Sequence, residues 1–117
     1  MVGIDIVKVE RIAKLRERFG LKGLKKFLLE SEIAEFKKAE SIAGVWASKE
    51  AISKALGVGI GKKLQFHDIQ IYRDNFGKPR FKLSDKIVKN FGIKEGDISI
   101  SHDGDYAIAV AIILKEE

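Results

Sequence analysis

Residues 41–56 read SIAGVWASKEAISKAL, and the placing of their side chains around one helix decides how the rest of the chain is understood. Ser41 stands as an N-cap and Gly57 at the usual C-terminal stop, which predicts a helix over Ser41–Leu56. At about 100° per residue, Ile42, Val45, Trp46, Ile52 and Leu56 form an apolar stripe, with Lys49 and Ser53 in its middle. Gly44, Ser48, Ala51 and Ala55, all small, fall on the opposite side. A helix with bulky groups on one side and small groups on the other is packed around most of its circumference. Glu50 sits at the edge of the stripe, one turn after Trp46 and one turn before Lys54. Taken alone, Glu50 and Lys54 are an ordinary i, i+4 pair. On a largely buried helix, however, Lys49, Glu50 and Lys54 are costly unless partnered, and that makes the helix site-like.

The chain around this helix has 117 residues, 45% hydrophobic and 33% charged. That size and balance predict one folded domain over residues 1–117 with a core of its own. No apolar run reaches the roughly 18 residues of a membrane span, and the short apolar start followed by charges does not read as a signal peptide. Cysteine is absent, which excludes disulfides and thiolate metal sites and fits a reducing, cytoplasmic setting. The net charge is +5. Arg11, Lys14, Arg16, Arg18, Lys22, Lys25 and Lys26 bias the first quarter toward an acidic or phosphate-bearing partner.

Working outward, Met1–Ile6 alternates as a short strand, with Val2, Ile4 and Ile6 on one side and Gly3 and Asp5 on the other. The glycine leaves room near the backbone. Asp5, at a strand–helix junction, suits either a cap or a ligand role. Val7–Phe19 reads as an amphipathic helix stopped by Gly20, with Arg11, Lys14 and Arg18 in register on its outer side. Leu21–Leu29 reads as a further helical turn or two, and Ser31 caps a helix from Glu32 to Ala39. After the organising helix, Gly57-Val58-Gly59-Ile60-Gly61-Lys62-Lys63 forms a glycine-rich loop whose free N–H groups could hold phosphate. Its spacing fits neither a Walker loop nor a dinucleotide fingerprint. Strands follow at His67–Tyr72 and Arg80–Leu83, with a turn at 74–79. A helix capped by Ser84 runs to Phe91, and strands at Ile98–His102 and Tyr106–Leu114 join at Asp103-Gly104. The last strand, YAIAVAIIL, is nearly all apolar and is expected to be central or covered on both faces. Early helices and late hairpins predict an α+β fold of antiparallel strands with helices packed on them.

The chemistry follows from what is present. Two carboxylates, Asp5 and Glu50, with no nitrogen or sulfur ligands beside them, suit a hard cation. Mg²⁺ is commonly held by one or two carboxylates while phosphate oxygens and waters complete its shell. Lysines on the helix and loop could neutralise the same phosphates. No serine has a paired histidine and acid at a diagnostic spacing, so metal-assisted displacement on a phosphate is favoured over covalent catalysis. His102 ends a strand, and His67 is taken as structural.

Three motifs carry a resemblance: Gly3-Ile4-Asp5-Ile6-Val7, Trp46-Ala47-Ser48-Lys49-Glu50-Ala51-Ile52-Ser53-Lys54, and Ser99-Ile100-Ser101-His102. With Ala55–Gly61, Asp68-Ile69 and Gly77-Lys78-Pro79 between them, the chain resembles the holo-acyl-carrier-protein synthases, the short bacterial 4′-phosphopantetheinyl transferases, over nearly its whole length. The resemblance implies the 4′-phosphopantetheinyl transferase fold. It implies transfer of the phosphopantetheine arm of coenzyme A to a serine of apo-acyl carrier protein in fatty acid biosynthesis, releasing adenosine 3′,5′-bisphosphate. By position, Asp5 and Glu50 would hold Mg²⁺, Lys54 would contact phosphate, and His102 would lie beside coenzyme A. Glu50, or a water or hydroxide on the metal, would take the serine's proton. Lys49 is expected as a phosphate or structural partner, and Gly57, Gly59 and Gly61 as coenzyme-binding. The family docks acidic carrier proteins on its first helix, which makes Arg11 a docking candidate by position and Lys14 and Arg18 candidates by helical spacing alone. The family forms homotrimers with a site at each subunit boundary.

The sequence departs from the family where an arginine and a phenylalanine commonly precede the lysine–glutamate pair. Val45 and Trp46 stand there, leaving Lys37, Lys38, Lys62 or Lys63 to hold the 3′-phosphate. Another carrier protein is the near alternative. From a different class, the alternative is a small basic polyanion-binding module without catalysis. Its basic residues do not interleave with exposed aromatics as a nucleic-acid platform requires, so neither nucleic acid nor membrane is expected as partner.

Overall fold

In the computed structural model, which describes residues 1–117, the organising helix lies across a three-stranded antiparallel sheet. The order of elements is β1 (Val2–Lys8), α1 (Val9–Leu24), α2 (Glu30–Glu35), α3 (Ala39–Leu56), β2 (Ile69–Arg73), β3 (Pro79–Leu83), α4 (Asp85–Phe91), β4 (Ile93–Asp103) and β5 (Tyr106–Lys115). The larger sheet has the order β1-β5-β4, and β2-β3 form a separate hairpin. The fold is α+β with antiparallel pairing throughout. No helix is long and apolar enough to cross a membrane.

The contact between α3 and the sheet depends on small side chains. Along β5, Ala107, Ala109 and Ala111 alternate inward and are fully buried. They pair in register with Val7, Asp5 and Gly3 of β1. At Gly3 a β-carbon would overlap the carbonyl oxygen of Ala51 and stand 2.5 Å from the amide nitrogen of Ala55. At Gly44 it would stand 3.1 Å from Ile100 and 3.4 Å from His102. The small side of α3 therefore lies with its backbone almost on the strands, while its bulky side enters the core of Ile12, Phe27, Leu28, Ile69 and Ile71. Twelve residues of this helix are buried, among them Ser48, Lys49 and Ser53.

The elements differ from expectation mainly at their ends. The organising helix starts one turn early, with Lys38 at the N-cap, and ends as expected at Gly57 in the left-handed conformation (φ 75°). The first helix does break at Gly20 (φ 59°, ψ −145°), but helical structure resumes and runs to Leu24. The helix expected from Glu32 is shifted to Glu30–Glu35. Its start is closed by Glu32, whose carboxylate accepts the Leu29 N–H at 2.7 Å, rather than by Ser31. His67 lies in a 3₁₀ turn before β2. The hairpin turn sits one residue later than expected, at 104–105, since Asp103 pairs with Tyr106.

The expectation for the last strand is met by its first alternative. β5 is central in the sheet, but only its inner face is covered. The outer face exposes Ile112 and Leu114 beside Val2, Ile4 and Ile6 of β1, the last three at 66, 61 and 57%. The apolar side of the first strand thus points away from the core, and its Gly3–Asp5 side points at α3.

Replacing Gly3 by alanine tests this architecture. The obstruction is helix backbone, which cannot rotate aside, so the substitution should cost at least the ~1–3 kcal/mol typical of overpacking. Chemical denaturation should show it as a large fall in the midpoint, whereas Gly61→Ala, with open space around it, should be nearly silent.

Candidate active site

β1 and α3 bring two acids together from far apart in the chain. Asp5 projects inward from β1 between Gly3 and Val7, with its side chain 15% exposed, and its Oδ1 accepts a charged hydrogen bond from Lys54 Nζ at 3.0 Å. Glu50 lies one turn before Lys54, half-buried. Burial is the main influence raising its pKa above the ordinary carboxylate value, and the negative charge of Asp5 adds to it. Lys54 and Arg11 oppose the shift without cancelling it. Two like charges held together in a partly dry place are what a divalent cation relieves. The donor set, two carboxylates with no histidine, fits Mg²⁺ with other positions left to phosphate and water. No group of three or more His, Asp or Glu side chains forms a self-sufficient metal centre.

Arg11 points toward this cluster. Its guanidinium carbon lies 5.3 Å from the centre of the Trp46 ring, and Trp46 in turn packs on Phe27 and Phe66, each at 5.0 Å between ring centres. The other two docking candidates of the first helix are engaged elsewhere: Lys14 pairs with Glu10 at 3.1 Å, and Arg18 lies over Phe19.

Lys49 is a correction. It lies on the far side of α3, fully buried, and its ammonium donates to Glu32 Oε1 at 2.7 Å, to Phe27 O at 2.8 Å and to Phe66 O at 3.1 Å. With three acceptors in place and no path to solvent, it holds the core together and cannot take coenzyme phosphate. Glu32, which the sequence reading missed, completes this hub by accepting the N–H groups of Leu29 and Ile71. The only signal for it was that a lysine inside an apolar stripe needs an acid, and no spacing says which.

The glycine loop is a second correction. The amides of Gly57, Gly59 and Gly61 donate to Lys54 O, Ser53 O and Leu64 O, so they are not free to cradle phosphate. Gly57 caps the helix and Gly59 (φ 66°) turns the chain. What the loop offers a ligand is Lys62 and Lys63, which with Val58, Lys86, Asn90 and Phe91 line an open groove of about 410 Å³. Val45, standing at the place of the family's arginine, is buried in the core.

His102 is not brought to the acids within one chain. It pairs with Ala107 on β4, with β5 between it and Asp5. Its Nε2 lies 2.9 Å from the Glu40 carbonyl at the start of α3. Ser48 and Ser53 donate to helix carbonyls and offer no nucleophile.

Fold and site together define a small α+β protein in which two carboxylates from distant parts of the chain converge beside a lysine. Residues 1–111 match the model of the 4′-phosphopantetheinyl transferase superfamily. The chain is 52% identical over 113 residues to the holo-[acyl-carrier-protein] synthase of Campylobacter fetus, covering 97% of this chain and 98% of that one. It is 53% identical over 115 residues to that of Nautilia profundicola, covering 98% and 100%. The crystal structure of Helicobacter pylori holo-[acyl-carrier-protein] synthase in complex with coenzyme A superposes with a TM-score of 0.95 at 48% identity, covering 97% of this chain and 100% of the other. The chain belongs to the holo-acyl-carrier-protein synthases of the 4′-phosphopantetheinyl transferase superfamily.

Two measurements check the site as built. Lys49→Met strands the buried Glu32 carboxylate and should cost about 3–5 kcal/mol of stability, as breaking a buried pair does. Coenzyme A affinity should be unchanged while the variant is folded; weaker binding with unchanged stability would restore Lys49 as a ligand. Glu50→Gln should be at least as stable as the parent near neutral pH. A carboxyl whose folded pKa is raised favours the folded state below its unfolded value, and that contribution is lost as pH rises through the folded one. The parent-minus-variant difference in melting temperature should therefore fall as pH rises from about 4.5 toward neutrality.

Proposed function

We propose that this chain transfers the 4′-phosphopantetheine arm of coenzyme A to a serine hydroxyl of an apo-acyl carrier protein. The products are holo-carrier protein and adenosine 3′,5′-bisphosphate, and the reaction serves fatty acid biosynthesis. The convergence of Asp5, Glu50 and Lys54 carries this reading, in a chain whose relatives are holo-[acyl-carrier-protein] synthases.

Asp5 and Glu50 would hold Mg²⁺, which when bound neutralises and orients the diphosphate. Lys54, on the exposed side of the cluster, turns from Asp5 to a phosphate oxygen when the coenzyme enters. Glu50 is the candidate of this chain for accepting the serine's proton. Bond making and breaking occur at one phosphorus, so positioning and charge supply most of the catalysis.

The exposed aliphatic face of β1 and β5 is assigned to contacts within a homotrimer, since so large an apolar patch marks an interface. In that assembly His102 would serve the coenzyme bound at a neighbouring subunit's acids. Lys14 and Arg18, exposed on α1, would meet an acidic carrier protein in the cytoplasm.

Incubation with apo-acyl carrier protein, coenzyme A and Mg²⁺ should raise the carrier's mass by one phosphopantetheine, read by mass spectrometry. An unmodified carrier, under conditions where a competent synthase modifies it, removes the proposal. Salt-sensitive RNA binding in its place would point to a polyanion-binding module.

A further inference from the structure

The site carries its own counter-ions. Asp5 and Glu50 contribute two negative charges, and Lys54 and Arg11 contribute two positive ones. Lys54 Nζ occupies Asp5 Oδ1 at 3.0 Å. Arg11 is held over the indole of Trp46, one turn before Glu50 on the same helix, and its charge is felt at the Glu50 carboxyl. No hydrogen bond or ion pair draws the Arg11 guanidinium away. Trp46 is itself fixed edge-on against Phe27, so the arginine rests on a rigid support.

A bare divalent cation meets this arrangement at a disadvantage. It must displace Lys54 from the oxygen it would use, and it then sits beside two unneutralised cations. A diphosphate changes the balance. Its oxygens take over Lys54 and Arg11, the Asp5 carboxylate is released from Lys54, and the cation binds between acids and phosphate with the charges again matched.

We propose that Lys54 and Arg11 act as a resident counter-ion pair, so that this site takes up a divalent cation only together with a diphosphate-bearing ligand. The inference rests on the functional reading above for the identity of that ligand. Arg11 thereby becomes a positioning residue for cation uptake, held in place by Trp46, besides any part in carrier docking.

Calorimetric titration separates the possibilities without any turnover. Mg²⁺ is titrated into the protein alone and into the protein saturated with coenzyme A, with the heat of Mg²⁺ on free coenzyme A subtracted. For the parent protein, coenzyme A should tighten Mg²⁺ binding at least tenfold. Lys54→Met and Arg11→Gln, both at exposed positions, should each bind Mg²⁺ several-fold more tightly than the parent in the absence of coenzyme A. Trp46→Phe should move the same way to a lesser degree, because the arginine loses its better support. Equal Mg²⁺ affinity with and without coenzyme A in the parent overturns the inference and leaves the transferase reading standing. So do Lys54 and Arg11 variants that bind Mg²⁺ alone no better than the parent. A parent protein that binds neither coenzyme A nor Mg²⁺ overturns both. Circular dichroism melts of each variant keep a folding defect from being read as a change in affinity.

Discussion

The close approach of one helix backbone to one strand governs the structure. Gly3 has no side chain because the carbonyl of Ala51 occupies the volume a methyl group would need. The alanines of β5 continue the same thin layer. At ordinary sheet–helix spacing, Asp5 on the strand and Glu50 on the helix would be separated by a layer of aliphatic side chains. With that layer removed they share one partly dry place, and their mutual repulsion becomes the affinity of the site for positive charge. Packing and chemistry here have one cause.

The same helix needs a different device on its other side. There the core is conventional, built from large aliphatic and aromatic groups, but Lys49 and Glu32 form an ion pair inside it. A buried pair gives little net stability compared with apolar residues of the same size. Its use lies in direction. Glu32 and Lys49 between them engage backbone groups at Phe27, Leu29, Phe66 and Ile71, so the α1–α2 connection, the 3₁₀ turn before β2 and β2 itself are tied to one turn of α3. No buried polar side-chain atom is left without a partner. The hub fixes the rotation of the helix about its axis, and that rotation decides whether Glu50 faces Asp5.

Much of this was legible in the sequence. The small residues Gly44, Ser48, Ala51 and Ala55 pointed to a helix packed around most of its circumference, and Gly3 pointed to room beside the first strand's backbone, though neither said that the two face each other. The glycine stop at Gly57 and the hairpin near Gly104 are local backbone chemistry and were read to within a residue. Long-range partnership was not legible. Whether Lys49 faced a ligand or an acid depended on where Glu32 would fold, and its i-to-j spacing carries no periodic signal. The glycine loop misled because glycines that free the backbone for a ligand and glycines that let it cap a helix look alike until the N–H partners are known. The outward direction of Val2, Ile4 and Ile6 was equally hidden, since alternation separates two faces without saying which is inside.

That alternation makes β1 its own proofreader. Sliding the strand by one residue against β5 would turn Asp5 outward among aliphatic side chains and drive Ile4 or a neighbour into the space that only Gly3 can occupy. Such a mispaired chain could neither close its helix onto the sheet nor present a continuous greasy exterior. Misregistered molecules would thus be rejected by sterics before any chemistry could be misdirected, with a single hydrogen atom at position 3 as the checkpoint.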